Sequence, residues 1–280
     1  MSVSPVTARL RCVRGELVEI YRATFVARCE VIRGQGQTEL DEDGICGLLP
    51  STQSPLIQLL VTDDHAEGRL AALLRDARVG RINVFAEAAR CAELVRSETQ
   101  WNADEPTAMI FRDLRVVPGL ALPPDLTLRP VRRTDDEPAG GVPLEDAVAA
   151  VRREASGTDG PPDMLASYLR SLPPSTRLFC AVDSENAVRA TSGCSTFGTE
   201  ASVFFVNTDP GWRRRGIART MTATALRAAL ASGARRASLD SSDAGISTYR
   251  TLGFECIGRV TRFRRTRQPD DPAGSLPSTA

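Results

Sequence analysis

Apolar residues recur along this chain with two spacings, and the spacing changes mark its elements. Over residues 1–32, Leu10, Val13, Leu17, Ile20, Tyr21, Phe25 and Val26 fall three or four apart with arginines and glutamates between them, which predicts one amphipathic helix. Gly34-Gln35-Gly36-Gln37 then reads as a turn. It is not a dinucleotide fingerprint, because it follows a helix and lacks a third glycine. Short apolar runs predict strands at Ile45–Leu49, Leu56–Val61 and Arg81–Phe85, with a helix over His65–Ala77 between the last two. A further helix is expected over Ala86–Glu98 and a strand over Ala108–Leu114. Asp63 or Asp64 reads as the cap of the first of these helices, and His65 as a solvated first-turn residue. This α/β pattern of about 120 residues holds no nucleophile–base set and no phosphate loop.

Pro118-Gly119 and Pro123-Pro124 mark a linker. Beyond it, Leu126–Val131 alternates like a strand, and helices are expected over Leu144–Glu154 and Pro162–Leu172. Thr176–Val182 and Ala187–Thr196 flank the turn Asp183-Ser184-Glu185-Asn186 and predict a hairpin. The run Val203-Phe204-Phe205-Val206 is β-branched and aromatic, apolar enough for a strand buried on both faces. Pro210-Gly211 stops it, and helix-favouring residues run from Arg214 to Leu230, with Gly233 as the stop. A strand at Ala237–Asp240, a helix at Ile246–Leu252 and a last strand from Phe254 to about Phe263 complete the pattern. The division expected is a domain over 1–120, a second over 121–266, and a disordered tail over 267–280, where Pro, Asp, Gly and Ser dominate.

At 280 residues, 42% hydrophobic and 25% charged, the composition is that of a globular protein with room for two domains. Basic and acidic residues balance at 35 each, so no net field draws the chain to nucleic acid or to an anionic membrane. Every basic side chain is an arginine, and none of these can serve as a proton-transfer base. Seven cysteines stand singly, and the one histidine has no second beside it for a metal site, so no metal is expected. Reduced thiols, the absence of an apolar run of membrane-spanning length and the lack of a signal-peptide core point to the cytoplasm.

Candidate chemistry concentrates between strand and helix at Arg213-Arg214-Arg215-Gly216-Ile217-Ala218. A glycine there lets backbone approach a ligand, and the free N–H groups of a first helical turn favour an anion. The expected ligand is a phosphate, most readily a pyrophosphate. Arg213, Gly216 and Ala218 fit the pattern Q/R-x-x-G-x-G/A, and Tyr249 with Leu252-Gly253-Phe254 fits Y-x-x-L-G-F. In these motifs, over roughly Leu126 to Arg264, the chain resembles the GNAT superfamily of acyl-CoA-dependent N-acetyltransferases.

The resemblance implies an α/β fold of GNAT type, with a mixed, mostly antiparallel twisted sheet flanked by helices. The N-terminal half is then a smaller α/β domain similar in element order to the degenerate GNAT-like halves that some such enzymes carry. It implies acetyl-CoA as co-substrate, with Val206, Asn207 and Thr208 meeting the pantetheine arm. The N–H groups of Arg214, Arg215, Gly216, Ile217, Ala218 and Arg219 would hold the pyrophosphate. It also makes Tyr249 the acid for the departing thiolate. Ser242 stands where many members have an asparagine, and would still bond coenzyme A or the helix start. The base is open among Asp240, Glu200, Glu185 and ordered water. The acceptor is expected to be a small-molecule primary amine, with a protein acetyltransferase or a non-catalytic acyl-CoA-binding regulatory module as the other readings. Only one strand follows Phe254, so an unpaired edge is expected there, covered by residues 1–120 or by a second copy of the chain in a homodimer.

Overall fold

The computed structural model describes residues 5–32, 37–49, 57–76, 78–133, 140–154 and 174–266, with 166, 169, 170 and 172. The chain divides into two compact units. The first takes the residues up to Ile110 together with Asp240–Ile246 and the described residues from Glu255 on; the second takes Phe111–Leu239 and Ser247–Phe254.

The first unit opens with α1 (Pro5–Ile32), and its strands are β1 (Glu39–Glu42), β2 (Ile45–Leu48), β3 (Ile57–Val61), β4 (Val79–Phe85), β5 (Trp101–Asp104) and β6 (Thr107–Phe111). Helices α2 (Glu67–Leu74) and α3 (Ala89–Arg96) lie between β3 and β5 in the chain. One face of this sheet packs Leu59, Val61, Ile82 and Val84 against Leu70, Leu73, Leu74, Cys91 and Val95 of α2 and α3. The other packs Leu48, Leu60, Phe85 and Ile110 against Leu17, Ile20, Tyr21, Phe25 and Cys29 of α1. The three-and-four spacing of α1 thus does what amphipathicity requires, burying one stripe on the sheet. Asp63 caps the 3₁₀ turn that leads into α2, its carboxylate accepting from the His65 N–H at 2.8 Å. Asp64 accepts instead from Arg90 N–H and Cys91 N–H at the start of α3, and His65 stays in solvent.

The second unit orders its strands β8 (Val142–Pro143), β7 (Thr127–Arg132), β9 (Thr176–Val182), β10 (Val188–Phe197), β11 (Glu200–Thr208) and β12 (Arg236–Ser241). Pairing from β7 through β11 is antiparallel, and β11 with β12 is parallel. Helix α4 (Leu144–Glu154) packs Leu144, Ala147 and Val148 against Leu178, Cys180, Val182 and Phe205. Helix α5 (Ile217–Ala231) sets Ile217 and Met221 against Leu126, Ala181 and Ala190. Helix α6 spans Ile246–Leu252. Both units share one succession, an antiparallel pair (β2–β3, β10–β11) followed by a parallel crossover through a helix.

Three strands escaped the apolar pattern, one of them the two-residue β8. β1 reads Glu-Leu-Asp-Glu with only Leu40 buried, an acidic edge with almost no period to detect, and β5 keeps Asn102, Ala103 and Asp104 exposed. The expected strand over 108–114 ends at Phe111 and gives way to a 3₁₀ turn capped by Asp113. Of the helix expected over 162–172 only residues 166, 169, 170 and 172 are described, and the tail over 267–280 lies outside the described residues.

The larger difference concerns the last strand, β13 (Glu255–Arg265), which a division at residue 120 would assign to the C-terminal part. It is a central strand of the first unit, antiparallel to β4 over Val260–Arg264, to β5 over Arg262–Arg265 and to β6 over Glu255–Arg259. Ile257 and Val260 face α1 while Phe263 joins the opposite core. Each of its strand partners lies within residues 79–110. We therefore expect a fragment of residues 121–280 to expose β13 on both edges and to aggregate. A soluble, monomeric fragment with a cooperative melt by circular dichroism contradicts this role for β13.

Candidate active site

β11 is bonded to β12 at three positions only, Glu200, Ala201 and Ser202 against Arg236, Ala237 and Ser238. From Val203 to Thr208 its edge on that side has no pairing with β12. On the other side it stays paired with β10, through a bulge where register shifts between Thr191 and Gly193 and Phe205 adopts φ 60°. The bulge is tied down by Thr191, whose hydroxyl donates to the Phe205 carbonyl at 2.7 Å. Asp209 N–H donates to the Arg189 carbonyl on β10, so by the two-residue alternation Asn207 also turns its backbone toward β10. Val206 and Thr208 are left with their backbone groups toward the open edge. Asn207 is further committed, its side-chain amide donating to the Val151 carbonyl of α4 at 3.3 Å. The Thr208 hydroxyl is buried with no partner among the described residues.

After β11 the chain makes a 3₁₀ turn over Pro210–Trp212, with Asp209 accepting from Gly211 N–H. Trp212 N–H and Arg213 N–H are used within that turn, and the first backbone bond of α5 runs from Thr220 N–H to the Gly216 carbonyl. Between them, the N–H groups of residues 214–219 precede any helical acceptor, as at every helix start. Arg214 at φ 60° and Gly216 at φ 77° are both left-handed, with Arg215 between them. Alternation of hand is the geometry that turns successive N–H groups inward on an anion. A Cβ on Gly216 would meet nothing within 4 Å, so the space in front of this turn is open.

The three arginines do different work, which their run in sequence did not separate. Arg213 donates through Nε to the Thr208 carbonyl at 3.2 Å and latches the turn to the end of β11. Arg215 bonds both carboxylate oxygens of Asp125, at 2.7 and 2.8 Å, and stacks over the Trp212 ring at 4.7 Å. Arg189 stacks on the same ring at 5.3 Å while bridging Asp183 and Asp209. Arg214 and Arg219 are both exposed, and neither side chain has a partner among the described residues. Trp212, Asp125, Arg189 and Asp209 were not singled out from sequence. The one signal for them was the turn-forming Asp-Pro-Gly before the tryptophan.

The Y-x-x-L-G-F segment is a helix cap joined to an aromatic cluster. Gly253 at φ 117° ends α6, its N–H and that of Phe254 both donating to the Tyr249 carbonyl, as a left-handed cap does. A Cβ there would lie 3.1 Å from the Phe111 ring, a second reason for glycine. Phe254 packs edge-on against Phe111 at 5.2 Å and against Tyr249 at 5.8 Å. The Tyr249 hydroxyl has no protein partner among the described residues, and burial pushes its phenol up to about 12. Ser242 lies in the first unit, in the β12–α6 loop, where its carbonyl accepts from Gly245 N–H.

None of the carboxylates weighed as base is poised for that role. Glu200 is buried at the far end of β11, roughly 26 Å from Thr208 at about 3.3 Å per residue, and is paired with Arg236. Glu185 is exposed in the β9–β10 turn. Asp240 is half-buried, with one oxygen accepting from the Tyr21 hydroxyl at 2.5 Å and the other from Arg262 at 2.6 Å. Burial alone would raise its carboxyl, but Arg262 and the Tyr21 hydroxyl outweigh that and hold it below the usual range. It remains an anion at neutral pH with both oxygens engaged. Among the described residues, no group of three or more His, Cys, Asp or Glu is arranged to hold a metal ion, and no helix is long and apolar enough to cross a membrane.

Residues 144–254 match the model of the acetyltransferase (GNAT) family. Solved structures with the same fold include a GCN5-related N-acetyltransferase from Kribbella flavida, 18% identical, covering 91% of this chain and 98% of that one with a TM-score of 0.57. Another is a GCN5-related N-acetyltransferase from Sphaerobacter thermophilus, 14% identical, covering 92% and 95% with a TM-score of 0.53. A third, from Streptococcus suis, is GCN5-related N-acetyltransferase-like, 13% identical over 89% and 99%, with a TM-score of 0.51. No curated protein matches the chain.

Burial thus keeps the Tyr249 phenol protonated well into the alkaline range. The alkaline absorbance step lost in Tyr249→Phe should therefore have its midpoint near 12, or appear only with alkaline unfolding. A midpoint near the ordinary phenol value of about 10 contradicts that burial.

Proposed function

We propose that this chain is an acetyl-CoA-dependent N-acetyltransferase whose acceptor is the primary amine of a small molecule, attacking directly in a ternary complex. The observation that carries the reading is the continuity of the open edge of β11 with the left-handed turn at the start of α5. An extended chain bearing amides can add to the first, and a pyrophosphate can sit on the second. The residues fit the group. Backbone at Val206 and Thr208 faces the edge, the buried Thr208 hydroxyl lacks a partner among the described residues, and the Gly216 turn opens on free space. Arg214 and Arg219 are the charges at hand for phosphate, while Arg213 and Arg215 hold the turn in shape.

Acetyl-CoA supplies the acyl carbon as a thioester. The amine nitrogen forms a bond to that carbon, the carbon–sulfur bond breaks with its electron pair on sulfur, and the nitrogen gives up a proton to water. A backbone N–H at the β11 edge polarises the carbonyl oxygen, and Tyr249 gives its phenolic proton to the sulfur. Ordered water is favoured as base because Asp240 and Glu200 are spent in ion pairs. The setting proposed is the cytoplasm.

Thiol release from acetyl-CoA across a panel of small amines, with a peptide panel in parallel, tests the reading. Gly216→Glu should weaken acetyl-CoA binding at least ~10-fold by calorimetry, since it puts an anion and a bulky side chain at the helix start. Tyr249→Phe should lower turnover ~10²-fold with little change in acetyl-CoA binding. Binding without thiol release for any amine would make the chain an acyl-CoA sensor instead. Release with peptides alone would make it a protein acetyltransferase.

A further inference from the structure

Beneath α1, the first unit carries a polar core that acetyl transfer does not use. Directly paired residues on neighbouring strands share a face. Phe85 of β4 and its partner Val260 both lie in the core covered by α1. By the period of two, Asn83 with its partner Arg262, and Arg81 with its partner Arg264, turn the same way. Gln58 of β3 lies opposite Arg81 and joins them, and α1 lays Tyr21 and Arg28 across the group, Arg28 reaching Gln58 at 3.4 Å. Four guanidinium groups thus gather where Asn83 is 1% and Arg262 5% exposed.

The carboxylates that meet this group are Asp240 and Asp104. Asp240 bonds Arg262 at 2.6 Å, and Asp104 lies 3.5 Å from both Arg262 and Arg264. The guanidinium groups also act on one another, and the effect is visible on Arg81. Burial and then the charges of Arg262 and Arg28 push that guanidinium down to about 9, against the pull of Asp240. Excess charge of one sign is costly in such a place. Hydrogen bonding is incomplete as well. Among the described residues, neither amide atom of Asn83 has a partner, nor does Nε of Arg28 or Nε of Arg262. These atoms offer three donors and one acceptor. Water would fill such positions but would bring no charge.

We infer that this core is a binding site for a small carboxylate that also carries one hydroxyl or N–H. The carboxylate oxygens accept from Arg28 Nε, Arg262 Nε and Asn83 Nδ2, and the ligand's own donor meets Asn83 Oδ1. The site lies wholly in the first unit, and its existence does not depend on the acetyl-transfer reading.

Glycolate is the smallest probe with both features. Calorimetry on the full chain should show saturable glycolate binding with Kd of about 1 mM or tighter. Asn83→Leu, close in volume and without polar atoms, should lose at least ~10-fold in glycolate affinity with an unchanged far-ultraviolet circular dichroism spectrum. If that variant does not fold, Asn83→Asp decides, because it supplies the missing anion from the chain. It should melt above the parent in the absence of glycolate and should no longer bind it. No saturable binding by the parent up to about 10 mM, or glycolate binding by either folded variant as tight as the parent's, overturns the proposal.

Discussion

Two parallel strands that hydrogen-bond for three residues and then part company determine most of the second unit. Had β11 stayed bonded to β12 beyond Ser202, the backbone of Val206 and Thr208 would be spent on a neighbouring strand. Because it does not, the strand keeps one satisfied edge toward β10 and one free edge, and backbone rarely leaves such groups idle. The bulge at Phe205 adds local twist, and the Thr191 hydroxyl holds that distortion in place. The path of the chain beyond β11 is then constrained too. It must turn sharply into α5, and the left-handed residues Arg214 and Gly216 make that turn.

The turn is held by planar contacts more than by hydrophobic ones. Trp212 carries guanidinium groups from Arg215 and Arg189, each of them anchored by carboxylates at Asp125, Asp183 and Asp209. A lysine at 189 or 215 would keep the charge but lose the stack on Trp212, and at 189 also the two separate nitrogens that reach Asp183 and Asp209. In a chain whose cations are all arginine, such fixed stacks recur, as at Arg265 over Trp101 and Arg28 over Phe25.

Much of this was legible from residues alone, for reasons that differ by element. The bounds of α4 and β9 track the apolar period closely, because each buries one stripe on a shared core. Gly233 was readable as a helix stop and Gly216 as a point of close backbone approach, and both are left-handed. The strands β1 and β5 were not readable, since a short polar edge strand takes its form from its partner rather than from its own pattern. Asp240 was misplaced among the candidate bases for a related reason. Nothing near it in sequence announces Tyr21 or Arg262, which come from opposite ends of the chain. The division of labour among Arg213, Arg214 and Arg215 was equally hidden, because it depends on Asp125 and on the carbonyl of Thr208.

The position of β13 carries a consequence for how the protein is made. Its residues complete a sheet whose other strands are synthesised long before it, and Val260 pairs with Phe85 across most of the chain. Chains emerge from the ribosome N-terminus first, and domains generally fold as they appear. The first unit cannot keep to that order, because β4, β5 and β6 wait for their central partner until residues 255–265 have emerged. During that interval the edge of β4 opposite β3 has no strand to bond, and the slow closure of distant strands prolongs it. The last strand to be made is thus the one the first unit needs before its sheet can close.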